Sequence, residues 1–102
     1  MQLLWWEGCP STDAALASLR QALDQEGLDP QAVELREIRT QDDAQVEGFT
    51  GSPTIRVGDR EVAPAQGEPL GLTCRVYRLR DGRPSPTPDP QDIRETIRRA
   101  MR

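Results

Sequence analysis

The sequence contains no histidine, no lysine and no asparagine, and its only aromatic residues are Trp5, Trp6, Phe49 and Tyr77. Without His, Ser-His-Asp and Cys-His catalysis are excluded within the chain, as is every imidazole metal site. Chemistry has to come from Cys, carboxylates, Arg, hydroxyls or main-chain amides. Long apolar runs are also missing; none approaches the roughly 18 residues of a membrane span. Met1 to Pro10 has neither a basic leading region nor an apolar stretch of signal-peptide length. A cytoplasmic protein without membrane contact is therefore expected. Cysteine is scarce too: Cys9 and Cys74 alone make a poor zinc site, because four ligands are usual.

At 102 residues, a single domain spanning 1–102 is expected, with 35% hydrophobic residues to build its core. The net charge is −4, unevenly spread: residues 1–73 carry five Arg and 13 acids, residues 74–102 eight Arg and four acids. The basic C-terminal third lacks Lys support and interleaved aromatics. It reads as a solvated surface complementing the acidic N-terminal part, and no nucleic-acid partner is expected.

Gln2-Leu3-Leu4-Trp5-Trp6 reads as a buried strand ending in a turn at Gly8. Ala15, Leu16, Leu19, Ala22 and Leu23 follow at helical spacing, with Pro10 suited to a first helical position and Gly27 as a stop. Ala32 to Arg39 is a second strand whose inward face is not clean. Asp42 to Gly48 is a short helix that Thr40 can cap. Thr54 to Val57 and Arg60 to Val62 form a hairpin about Gly58-Asp59. Ala63 to Thr73, with Pro64, Gly67, Pro69 and Gly71, is irregular, and Cys74 to Leu79 is a short extended piece. Pro84, Pro86, Pro88 and Pro90 favour a stiff, polyproline-like connector. Asp89 caps a last helix with Pro90 at its first position and Ile93, Ile97 and Met101 on one face; Arg98, Arg99 and Arg102 suit its C-terminal dipole. The order strand, helix, strand, helix, hairpin, helix gives an α/β fold. A parallel βαβ unit plus an antiparallel ββα unit makes a mixed four-stranded sheet flanked by helices.

Cys9 stands at the junction of the first strand and first helix. Unpaired amides and the positive dipole end there favour a thiolate. Thr12, three residues on, can hydrogen-bond that thiolate but cannot resolve a mixed disulfide. The other reading, an inert half-buried cysteine, fits the same position.

The Trp6-Glu7-Gly8-Cys9-Pro10 turn and the Gly51-Ser52-Pro53-Thr54 segment resemble the thioredoxin-like superfamily. Together with Gly71-Leu72-Thr73-Cys74-Arg75-Val76-Tyr77, they are similar to a group of small bacterial proteins of the thioredoxin family. The resemblance implies that Pro53 is a cis-proline beside Cys9 and that Ser52 binds extended substrate backbone. Trp6, Pro10 and Thr12 complete the implied substrate surface, although of the two tryptophans one is expected in the core and the other at the rim. Thr12 stands where the family's Cys-x-x-Cys motif has its second cysteine. No Gly-Gly turn of the kind that binds glutathione in glutaredoxins occurs around Ala63-Pro64-Ala65, and no cofactor is expected.

In the implied fold the irregular segment that ends at Cys74 starts on the side of the molecule that carries Cys9. Cys74 is then either the resolving partner of Cys9 or a packed residue distant from it; a bridge needs Cα atoms within about 7 Å. Arg75 favours a Cys74 thiolate by charge. The implied activity is thiol–disulfide exchange on protein or small-molecule disulfides, with Cys9 as nucleophile and Cys74 as resolving cysteine. Two other functions fit the same residues: a non-catalytic module binding a peptide or protein through Trp6, Cys9 and Pro53, and soft-metal capture between Cys9 and Cys74.

Overall fold

A computed structural model describes residues 1–64, 67 and 69–101. Ala65, Gln66, Glu68 and Arg102, the last expected to suit the dipole of the final helix, lie outside the described residues. The elements are β1 (Gln2–Trp5), α1 (Thr12–Gln25), β2 (Glu34–Glu37), α2 (Gln41–Glu47), β3 (Thr54–Val57), β4 (Arg60–Glu61), β5 (Tyr77–Arg78), β6 (Pro84–Ser85) and α3 (Pro90–Ala100). The sheet runs β2-β1-β3-β4, with β1 parallel to β2 and the other pairs antiparallel. It is thus a mixed four-stranded sheet with three helices among the described residues.

Alternation along β1 sends Leu3 and Leu4 to opposite faces, and each seeds a core. Leu3, Ile55 and Val57 pack with Leu19 and Leu23 of α1 and Ile93 and Ile97 of α3. Leu4 packs with Ile38, Ala44 of α2 and Phe49, beneath Trp6 and Leu72. The uneven face expected over Ala32 to Arg39 has a simple origin: β2 is an edge strand, and Glu34, Leu35 and Arg36 are all exposed.

Turn and cap chemistry fixes the boundaries. Thr40 accepts from Asp43 N at 3.0 Å, and Gly48 ends α2 in the left-handed conformation at φ 65°. Asp89 accepts from Gln91 N at 2.9 Å with Pro90 following it. Three expectations need correction. Pro10 does not open α1; Ser11 is the N-cap and Thr12 the first helical residue. Pro84 and Ser85 are not part of a free connector but pair with Tyr77 and Arg78 as a small second sheet. Met101 caps α3 and stays 63% exposed, because the helix ends before it can turn inward with Ile93 and Ile97.

The basic C-terminal part does meet acids of the N-terminal part. Glu26 at the end of α1 receives hydrogen bonds from Arg94 Nε at 2.9 Å and Arg98 Nε at 2.8 Å. The Arg98 bond, then the Arg94 bond, hold the Glu26 carboxyl below its ordinary value. A depressed folded-state value means the stabilisation is present above the unfolded value of 4.5 and is lost as pH falls through the folded one. Glu26→Gln should therefore lower Tm at neutral pH and flatten its fall on acidification below about pH 4.5, read by thermal melts across pH. An unchanged acid limb in the variant would contradict this. Among the described residues no helix is long and apolar enough to cross a membrane.

Candidate functional site

Cys9 follows the end of β1 in a tight turn, closed by Cys9 N donating to Trp6 O at 3.1 Å. Gly8 is required within it: a Cβ there would lie 2.5 Å from the Trp6 ring. Ser11, the N-cap of α1, makes no side-chain capping bond. Its hydroxyl lies instead 3.5 Å from Cys9 Sγ. The sulfur is buried, with the residue 6% exposed, and Ser52 O also stands 3.5 Å away. Cys9 sits two residues before the N-cap; the sulfur's neighbours are a hydroxyl and a carbonyl, not the helix amides that the sequence led us to expect. The hydroxyl favours an anionic sulfur and the carbonyl favours the protonated thiol.

The second half of the site is built by main-chain pairing. After Phe49, the chain passes through Gly51 at φ 146° and a cis Ser52–Pro53 peptide before entering β3. Ser52 N donates to Thr73 O at 2.8 Å, and Arg75 N donates to Ser52 O at 2.9 Å. This isolated parallel bridge, Ser52 to Cys74, lays the 73–75 segment beside the proline bend. Cys74 thereby reaches Cys9: the two form a disulfide, their Cα atoms 5.7 Å apart across a sequence separation of 65. That span lies in the ordinary range for a bridge. Of the two sequence-compatible placements of Cys74, the structure has the close one.

Arg75 locks the segment in place. Its guanidinium donates to Ala63 O at 2.6 Å, pairs with Glu61 at 3.5 Å and stacks 4.3 Å over the Tyr77 ring. The charge expected to act on Cys74 is thus committed to other groups. Tyr77 OH donates to Pro53 O, and burial pushes the phenol well above its ordinary value, so it remains a neutral donor.

The remaining expected residues are placed as follows. Pro10 is exposed and, with Thr12, lines a cleft of about 330 Å³ beside Cys9. Thr12 Oγ1 is buried and makes no hydrogen bond among the described residues. Trp6 packs on the Leu4 and Phe49 core, whereas Trp5 lines the cleft at Cys9 together with Leu16 and Leu35. Both tryptophans are half-buried, so neither is wholly core nor wholly rim. Ser52 is fully buried; its Oγ accepts from Trp6 N at 3.2 Å, and its N–H and C=O are used by Thr73 and Arg75. An extended substrate backbone would have to displace the chain's own 73–75 segment to bind there. Sequence reasoning passed over Ser11, Thr73 and Tyr77, and it left open which tryptophan borders Cys9. A serine directly after Cys-Pro was the one available signal among them.

No family model matches the chain, and no curated protein and no solved structure matches it either. Among the described residues no group of three or more His, Cys, Asp or Glu side chains is gathered to hold a metal. What the arrangement offers chemically is a disulfide between one buried and one exposed cysteine, set between two clefts.

Proposed function

We propose that the chain is a thioredoxin-like thiol–disulfide oxidoreductase whose redox centre is the Cys9–Cys74 pair, acting on protein or small-molecule disulfides in the cytoplasm. The observation that carries this reading is the bridge at the proline bend, made by cysteines 65 positions apart. The element order and the Gly51-Ser52-Pro53-Thr54 turn support the thioredoxin-like comparison. In a reducing compartment a disulfide is more often transient and catalytic than permanent. The chemistry requires no cofactor: a thiolate attacks a sulfur, one S–S bond forms as another breaks, and two electrons pass between dithiol and disulfide.

A purely binding module is supported less well, because the Ser52 main chain is already paired within the molecule. Soft-metal capture would require the bridge to be opened first, because both sulfurs are used in it. The test is dithiothreitol-driven reduction of a disulfide-bonded reporter peptide. The wild-type chain should accelerate it, and Cys9→Ser and Cys74→Ser should each lose at least about tenfold of that acceleration. Retention of the full rate in either variant refutes the paired mechanism.

A further inference from the structure

We infer that Cys74, and not Cys9, is the sulfur through which external thiols and substrate disulfides enter, with Cys9 as the internal resolving thiolate. This rests on the exchange reading above and reverses the roles expected from the sequence, which placed the first attack at Cys9.

The two halves of the bridge differ in access. Cys9 is 6% exposed, and its sulfur is flanked by Ser11 Oγ and Ser52 O, both at 3.5 Å. Cys74 is an exposed residue on the irregular segment after β4. Disulfide exchange depends on which sulfur an incoming thiolate can reach, since it must approach behind the sulfur it attacks, along the bond being broken. Cys9 borders the cleft of about 330 Å³ but is almost wholly covered, whereas Cys74 is exposed on a cleft of about 320 Å³ lined by Thr50, Pro69, Thr73, Arg75 and Val76.

Charge acts in the same sense. The attacking species is an anion, and the cleft beside Cys9 is lined by the carboxylates of Glu7 and Asp13. The described residues lining the Cys74 cleft include no carboxylate, and its one charged side chain, Arg75, is paired with Glu61. Ser11 then has a function in the opening of the bridge: when Cys9 leaves, the hydroxyl already beside its sulfur donates to the new thiolate.

The steps balance. An external thiolate forms a bond to Cys74 Sγ, the Cys9–Cys74 bond breaks, and the electron pair leaves on Cys9 Sγ. A second external thiolate attacks the bound one, releasing an external disulfide and a Cys74 thiolate. Toward substrate, the Cys74 thiolate attacks one sulfur of a disulfide and expels the first thiolate. Cys9 then attacks Cys74 Sγ, restoring the bridge and expelling the second.

The test uses the intact oxidised protein and 2-mercaptoethanol, a small neutral thiol. After brief mixing, the reaction is quenched in acid, free thiols are alkylated, and peptide mass spectrometry locates the adduct. Extrapolated to the earliest times, the adduct should sit on Cys74, with alkylated Cys9, in at least about tenfold excess over the reverse. An adduct on Cys9 in equal or greater amount overturns the assignment and leaves the exchange reading standing. If neither cysteine is labelled until urea unfolds the chain, both fail.

Discussion

Opening the Cys9–Cys74 bridge is expected to destabilise the folded chain by about 4 kcal/mol, from the loop-entropy relation for a cross-link closing 65 residues. For a domain of this size that corresponds to a fall in Tm of roughly 15–30 °C. The bridge joins the end of β1 to a segment that is otherwise held by the main-chain bonds of Gly71 to Phe49 and of residues 73 and 75 to Ser52, by the Arg75 side chain and by Leu72 packing. Neither core includes Cys9 or Cys74, so the reduced chain should remain folded but melt earlier. Thermal unfolding monitored by circular dichroism, with and without dithiothreitol, reads the difference. A shift below about 5 °C would mean that native contacts alone restrain the segment as well as the bridge does. By the same cycle, the folded state favours bridge formation by the amount the bridge stabilises it. Whatever loosens the 73–75 pairing must then make the bridge easier to reduce.

Gly51→Ala is expected to do so. Gly51 lies at φ 146°, where an L side chain is strained, and an added Cβ would come within 2.5 Å of Arg75 Cγ and 3.1 Å of Arg75 N. Strain of this kind costs about 1–3 kcal/mol. Moving Arg75 away also loses its main-chain bond to Ser52, about 1 kcal/mol more. The penalty falls mostly on the oxidised form, where Cys74 has to stay within bonding reach of Cys9. The variant should therefore lose more stability oxidised than reduced, and its midpoint potential should rise by about 30 mV for each 1.4 kcal/mol of that difference. Equal losses in the two forms would show that Gly51 serves the fold without serving the bridge.

The local elements were legible where short-range chemistry sets them. Thr40, Gly48, Asp89 and Pro90 mark helix ends through caps and φ preferences that act within a few residues. The hairpin at Gly58 is of the same kind, and the apolar spacing of α1 and α3 gave their buried faces. The second small sheet was not legible, because two-residue strands such as Tyr77–Arg78 have no periodicity to detect. Which tryptophan borders Cys9 depended on where β1 stops: the strand ends at Trp5, which shares the Leu3 face, and Trp6 falls into the turn.

The site was legible in part for the same reason. Cys9 and the Ser52-Pro53 turn stood out as local motifs. The position of Cys74, the commitment of Arg75 and the exposure that separates the two sulfurs all follow from pairing between residues more than ten positions apart. An irregular segment carries no pattern that announces such pairing. Ser11 carried no expectation from the sequence, and only its geometry brings the hydroxyl beside sulfur.

The most direct test of a working redox centre is the rate at which a dithiol opens the bridge in the native protein at increasing urea, below the unfolding transition. A centre reached from solvent through Cys74 predicts a rate almost independent of urea, because no unfolding precedes attack. A rate rising with a urea dependence of about 1–3 kcal/mol/M, that of global unfolding, would show a disulfide that yields only when the chain unfolds, and would contradict the assignment.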